Sequence, residues 1–424
     1  MTTLVPTTWW RGLGSLTRSG SAAEGLAWAL YDFANTIFSF AIVSFAMSLW
    51  AIRFLGEANG QFWFTVAVSA SVLVNAIVSP VLGAMSDRAG KRKGFLLVFT
   101  VLAIVPTTLI GTVDIGLGLL FFALANFAYQ AALIYYDALL PDVARPETRG
   151  RLSGIGVALG YLGTIVSGLL LRLTFQDGET TALSFLLVGS LFALFAAPLF
   201  LMVHERRRPG VPFRLLDALR SWSQLRSTLA HARESPGLLR FLVGRFFYTD
   251  PVNTAIAIMS AFATQAIGFT SSEALSILLL LTVVAVLASF GWGLMVDRWG
   301  PKRTLLLVLG VWALGLLLLG LSLERIPFYV AGALLGAGLG GVAVTDRLLL
   351  LRLAPPDRVG EMFGLYGLVG KFSAVIGPVL YGVIVLVLLQ PLGKLAYQAA
   401  ILSLLAVLLV GYLIVRRVPE GVNQ

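Results

Sequence analysis

Residues 83–93 read GAMSDRAGKRK, and residues 293–303 read GLMVDRWGPKR. The two stretches agree at Gly83 and Gly293, Asp87 and Asp297, Arg88 and Arg298, and Gly90 and Gly300, and both end on basic residues, at an offset of 210. The same offset lays Gly150 on Gly360, Gly154 on Gly364, Gly160 on Gly370 and Asp137 on Arg347. A second motif repeats at an offset of 218: Asp-x-x-Asn-Thr occurs at Asp32–Thr36 and again at Asp250–Thr254. The chain is therefore two related halves, and half-repeats that share a midplane site are the mark of secondary transporters.

Composition places those halves in a bilayer. The 424 residues are 58% hydrophobic and 12% charged, against about 25% charged in soluble domains, and mean hydropathy is +0.89. A span needs about 20 apolar residues. Twelve runs qualify: 22–51, 61–85, 94–112, 117–140, 152–173, 182–203, 238–267, 274–296, 304–322, 327–352, 361–388 and 395–415. No period-2 alternation competes, so the expected fold class is an all-α integral membrane protein with twelve transmembrane helices in two pseudo-symmetric six-helix bundles. The expected division is a cytoplasmic tail over 1–21, bundles over 22–203 and 238–415, a linker over 204–237 and a second tail over 416–424.

The net charge of +10 follows from topology. Of the 31 Lys and Arg, only Arg53, Arg172, Arg325 and Lys394 fall on one set of alternate loops, while Arg245, Arg347 and Lys371 lie inside spans. The rest occupy the termini, the opposite loops and the linker, which puts both termini in the cytoplasm of a cell (inner) membrane. Nucleic acid is accordingly not an expected partner. In the linker, Leu215, Leu219, Trp222 and Leu229 share a helical stripe with arginines interleaved. That pattern suits either a helix lying on anionic lipid headgroups or a plain tether between bundles.

Several chemistries are not expected. There is no Cys, and both His fall in the polar linker, so neither a thiol site nor an intramembrane His–metal site is expected. No Ser/His/Asp constellation suggests a catalytic residue. GAGLGG at 336–341 lies inside a span with no strand before it, and Gly332, Gly336 and Gly340 read as a helix-packing face. No cofactor is expected, and the chain is read as a monomer.

The loop pattern G-x-x-x-D-R-x-G-x-[KR]-[KR], with its copy, resembles the loop motif of the major facilitator superfamily. WALYDFANT (28–36), SPVLGAMSDRAGKRK (79–93), YYDALLPD (135–142), GRLSGIGVALGYLG (150–163) and GLYGLVGKFSAVIGP (364–378) look like one branch of it, the vacuole-effluxer family. The likeness covers roughly residues 24–415 and departs at Asp137, where the branch favours Asn, and at Asp250–Pro251, where it favours Asp-Gly. It implies rocking of two six-helix bundles, with the first, fourth, seventh and tenth spans lining a cavity. It implies export as the direction and an amino acid as the substrate. For Asp87, Arg88, Asp297 and Arg298 it implies a conformational lock at helix ends rather than substrate chemistry.

The residues themselves say more. A charged side chain in mid-span costs about 2.5–3.5 kcal/mol on insertion scales. Away from the span ends, the charged groups are Asp32, Asp137, Asp250 and Asp346 with Arg245, Arg347 and Lys371. Four acids against three bases leave one carboxylate over, and a desolvated, unpaired carboxylate can carry a proton. Helical spacing puts Trp28, Asp32, Asn35 and Ser39 on one face, Asn126, Gln130, Leu133 and Asp137 on another, and Phe246, Asp250, Asn253 and Ala257 on a third. The candidate substrate or proton-binding residues are thus Asp32, Asn35, Asn126, Gln130, Asp250, Asn253 and Lys371, although interhelical packing explains Asn126 and Ser39 as readily. Lys371 lies ~16 Å into its span and needs an acidic partner, Asp32 or Asp250, or an anionic group on the substrate. Asp137 and Arg347, opposite charges at repeat-related positions, are candidates for a cytoplasmic gate. The competing pairing is Arg347 with Asp357.

The expected function is a secondary active or facilitative transporter of a small polar metabolite by alternating access. An amino acid or related carboxylate is the expected export substrate, and the proton is the candidate coupling ion. The rival readings are a lipid, amphiphile or drug translocator, and a non-transporting receptor or scaffold. Membrane lipids are expected to surround all of these.

Overall fold

The computed structural model describes residues 13–174, 182–206, 230–374 and 376–420. The expected amphipathic stripe of the linker, Leu215 to Leu229, lies outside the described residues. The chain divides into two compact units, Met1–Arg226 with Pro356–Gly364, and Ser227–Pro355 with Leu365–Gln424.

The described backbone is almost entirely helical, because each apolar run must satisfy its own backbone hydrogen bonds where water is absent. In the first unit these runs become α1 (Ala22–Phe38), α2 (Met47–Leu55), α3 (Glu57–Ala89), α4 (Lys93–Leu109), α5 (Ile115–Val143), α6 (Arg149–Thr174) and α7 (Ala182–Met202). Between α1 and α2 the helix widens over Ser39–Ala46, where the Met47 amide reaches the Ile42 carbonyl five residues back. The later helices are α8 (Leu238–Ala261), α9 (Ser271–Trp299), α10 (Pro301–Leu321), α11 (Arg325–Leu353), α12 (Val359–Ser373), α13 (Ile376–Leu392) and α14 (Leu395–Arg416). A second widened segment, Phe262–Ile267, follows α8. Such segments are rare and gather at functional sites. Both follow the two copies of Asp-x-x-Asn-Thr.

Helix ends carry the expected chemistry. The Asp114 carboxylate accepts from the Gly116 and Leu117 amides at the start of α5, and Thr270 and Glu273 form a reciprocal capping box at the start of α9. Pro301 takes the first position of α10, where it loses no hydrogen bond.

The repeat is visible in the packing. In the first unit α1 packs on α6 and α7, α3 on α5, and α4 on α5 and α7. In the second, α8 packs on α13 and α14, α9 on α11, and α10 on α11 and α14. Each of these contacts in one half has its counterpart in the other. Large apolar side chains such as Leu201, Leu287 and Leu386 stand exposed, as they do where lipid replaces water.

Among the described residues, eleven helical stretches are long and apolar enough to cross a membrane, one fewer than the twelve expected. The remaining one is α8. It is long enough at 24 residues, but Arg240, Arg245 and Asp250 lower its apolar character. The segment before α1 is docked in its described part. Leu16 to Arg18 dock on the α5–α6 connection: the Arg18 amide donates to the Val143 carbonyl at 2.8 Å, and the Thr148 hydroxyl to the Leu16 carbonyl at 2.6 Å.

Candidate functional site

Asp250 lies midway along α8, 2% exposed. Its Oδ1 accepts a 2.7 Å hydrogen bond from the Gly377 amide, one of the first amides of α13, which lack intrahelical partners. The carboxylate thus caps a helix N-terminus, where negative charge is favoured. Its Oδ2 is buried with no hydrogen-bond partner among the described residues. Gly377 is required by the close approach. A Cβ there would stand 2.1 Å from Thr254 Oγ1 and 2.7 Å from Asp250 Oδ2.

Five residues earlier on α8, Arg245 belongs to a second buried cluster. Arg245 Nε donates to Asp346 Oδ2 at 2.8 Å, and Tyr366 donates to the same oxygen at 3.0 Å. Tyr248 donates to Asp346 Oδ1. The Arg245 guanidinium also donates to the Tyr366 carbonyl at 3.1 Å and stacks 3.5 Å from the Tyr366 ring centroid. This ion pair has partners on both sides, as a buried pair must to offset its desolvation. It takes one acid and one base out of the charge balance.

Lys371 falls in the last turn of α12, half-buried, where the carbonyl end of a helix favours a cation. Its electrostatic neighbours include Arg245, a like charge. Asn253 is half-buried one turn beyond Asp250.

In the first unit, Asp32 is half-buried on α1 and Asn35 is buried, with Asn35 Oδ1 lacking a hydrogen bond among the described residues. A Cβ on Gly156 of α6 would stand 2.7 Å from Asp32 Oδ2 and 3.0 Å from the Trp28 ring. Trp28 in turn stacks on Tyr136 with centroids 4.6 Å apart. The carboxylate therefore sits against an aromatic pair and a glycine backbone. Gln130 is half-buried. Asn126 is drawn into packing, its Nδ2 donating to Ser71 Oγ of α3 at 2.8 Å.

Among the expected gating residues, Asp87 has the clearest geometry. Its Oδ2 accepts from the Glu361 amide at 2.8 Å, in the opening turn of α12, and its Oδ1 accepts from Arg92 at 2.8 Å. Arg92 also donates to the Ala138 carbonyl at 2.7 Å. The cation that holds Asp87 here is Arg92, which sequence reasoning did not single out, whereas Arg88 is exposed. Chain reversal at Gly90, with φ of 62°, carries Arg92 back over the end of α3. Asp137 and Asp297 are half-buried, Arg298 is exposed, and Arg347 is 5% exposed within α11.

Tyr248, Tyr366, Gly156 and Gly377 were also absent from the expected site. The tyrosines lie one turn from Arg245 and within the GLYGLVGKF run, a spacing signal that could have pointed to them. The glycines act through their backbone, so side-chain chemistry gives no cue.

Two bundles with repeated packing and buried charge clusters define a membrane transporter of the major facilitator type. It is a multi-pass membrane protein that handles a small-molecule substrate and is not an enzyme. The chain belongs to the family described as vacuole effluxer Atg22 like, whose model matches residues 53–420. It is 26% identical over 418 residues to an MFS-type transporter of Bacillus subtilis, YxiO, covering 93% of this chain and 94% of that one. Autophagy-related protein 22 of Yarrowia lipolytica is 27% identical over 275 residues, covering 57% of this chain and 46% of its own length. Among solved structures, the human organic anion transporter MFSD10 superposes with a TM-score of 0.71 at 15% identity, covering 93% of this chain and 98% of that one. The E. coli fucose:proton symporter FucP gives 0.72 at 12% identity, covering 95% and 98%.

Proposed function

We propose that this protein exports a small metabolite bearing a carboxylate, with amino acids as the leading class, by proton-linked alternating access. The observation that carries the reading is the Asp250 carboxylate, bound through one oxygen to the Gly377 amide while its other oxygen is buried without a partner. An ionised Asp250 fills the N-terminus of α13. A proton on Oδ2 removes that charge and frees the amide for a substrate carboxylate. Lys371, six residues earlier in the chain, supplies the cation such a substrate needs. Asp32 and Asn35 are proposed to take part in substrate or proton binding, Gln130 and Asn253 to support them, and α8 to serve as the seventh of twelve spans. Asp87, with Asp297 as its repeat partner, is proposed to lock helix ends. Asp137 and Arg347 are proposed as a gate because opposite charges occupy repeat-related positions. The efflux direction rests on the family's description, and cytoplasmic termini in the cell membrane rest on the loop charges.

The test is thermal stabilisation of the purified protein across a metabolite panel at two pH values. A ligand specific to the native state at a hundredfold excess over its Kd adds about 2.7 kcal/mol. Stabilisation by amino acids or related carboxylates, lost in Lys371→Ala, is expected. A blank among polar metabolites with shifts from amphiphiles alone would replace this reading with the amphiphile translocator.

A further inference from the structure

A cavity of about 730 Å³ opens in the second unit where α8 begins and α14 ends. Three exposed arginines, Arg233, Arg240 and Arg417, line it, and no Asp or Glu does. Of the nearby acids, Glu420 is engaged with Arg303 at 2.8 Å, and Glu234, exposed beside Arg233, is not among the lining residues. The walls change character along both helices. Val243 follows Arg240 by three residues on α8, and Ile414 precedes Arg417 by three on α14 and its C-cap. Residues three apart share one helix face, so each wall runs from basic at the helix end to apolar one turn inward.

The cavity is built rather than incidental. Ala232, Leu238 and Val418 are each no more than 1% exposed and pin the two segments that form its rim. Gly237 meets Pro419 so closely that a Cβ would stand 2.3 Å from the proline ring. Arg240 donates to the Arg417 carbonyl at 2.7 Å, tying one wall to the other.

We infer that this cavity binds the headgroup of an anionic phospholipid. The three guanidiniums match a phosphodiester in charge and hydrogen-bonding geometry. The apolar turn beyond them matches the start of acyl chains, which a free phosphate lacks. Basic pockets between transmembrane helices are the form such sites take. The site is remote in sequence from Asp250 and Lys371 and does not rest on the transport reading.

The test is a titration of the detergent-solubilised full chain with phosphatidylglycerol, phosphatidylcholine or glycerol phosphate, read by melting temperature. Arg233→Gln/Arg417→Gln is compared with a charge-matched control, Lys91→Gln/Arg206→Gln. Phosphatidylglycerol alone should stabilise the wild type. The cavity pair should weaken it about thirtyfold, two charges at ~1 kcal/mol each, with the control unchanged. Equal stabilisation by phosphatidylcholine, or an equal loss in the control, overturns the site. Variant-dependent stabilisation by glycerol phosphate overturns the lipid in favour of a soluble phosphate. If the cavity pair does not fold, photo-crosslinking phosphatidylglycerol to the wild type decides. Adducts within 233–243 and 414–419 are expected, and adducts spread over other basic loops contradict the proposal.

Discussion

The Asp250 carboxylate and the Gly377 amide, 127 residues apart in the chain, meet at 2.7 Å, and the contact leaves Asp250 Oδ2 buried without a partner. A carboxylate in this position neutralises the positive end of α13. Gly377→Ala drives a methyl group into Thr254 Oγ1 and the carboxylate. Overpacking of this kind costs about 1–3 kcal/mol. A lowered melting temperature together with lost transport is the expected outcome, and Gly382→Ala, where nothing lies within 4 Å of the added Cβ, serves as the control.

The Arg245–Asp346 pair is structural. Truncating one member leaves a buried charge uncompensated, at about 3–5 kcal/mol. Arg245→Ala and Asp346→Ala should each melt far below the wild type. Arg245→Met with Asp346→Leu should recover most of that loss. If the double variant is as unstable as either single one, the pair has a role beyond neutralising its own charges.

Asn126 separates packing from binding. Its hydrogen bond to Ser71 is the kind that holds membrane helices together at about 0.6 kcal/mol. Asn126→Ala should lower the melting temperature slightly and leave substrate affinity unchanged. A large rise in KM with unchanged stability would return Asn126 to the binding site.

Much of this was legible in the sequence, and the limits are instructive. The paired loop motifs and Asp-x-x-Asn-Thr repeats predict two equivalent halves, and the packing pairs repeat accordingly. The insertion cost of Asp250 marks it from sequence alone. Its partner was not legible, because Gly377 contributes a backbone amide that only the start of α13 exposes. The loop motif marks Asp87 and Arg88 as residues of a helix-end lock but does not say which cation meets the carboxylate. The turn at Gly90 brings Arg92 back to it. Helical spacing puts Asn126 on one face with Gln130 and Asp137, but it carries no information on which neighbouring helix Asn126 meets.

The Asp87 contacts give a further prediction. Its carboxylate is held by Arg92 and by the Glu361 amide. Asp87→Asn and Arg92→Gln should therefore lower stability by similar amounts, and combining them should cost less than the sum, since contacting residues couple by about 0.5–3 kcal/mol. Strict additivity in that cycle would deny the pairing.

At the start of α9, the Thr270 amide and hydroxyl, with a smaller contribution from Arg325, hold the Glu273 carboxyl below its usual range. A depressed carboxylate contributes stability that is present above its unfolded pKa, about 4.3, and lost as pH falls through the folded value. The melting temperature should therefore fall in acid below that range, with a slightly shallower acid slope in Glu273→Ala. An identical slope in the variant would remove Glu273 from the account.

The central claim is that a proton on Asp250 exchanges with a substrate carboxylate at the Gly377 amide. It is tested most directly by amino-acid transport in proteoliposomes, comparing wild type with Asp250→Asn in exchange and under an imposed pH gradient. The account predicts that the wild type responds to the gradient, while the variant still exchanges substrate but no longer responds. A variant that accumulates substrate under the gradient as the wild type does would contradict it.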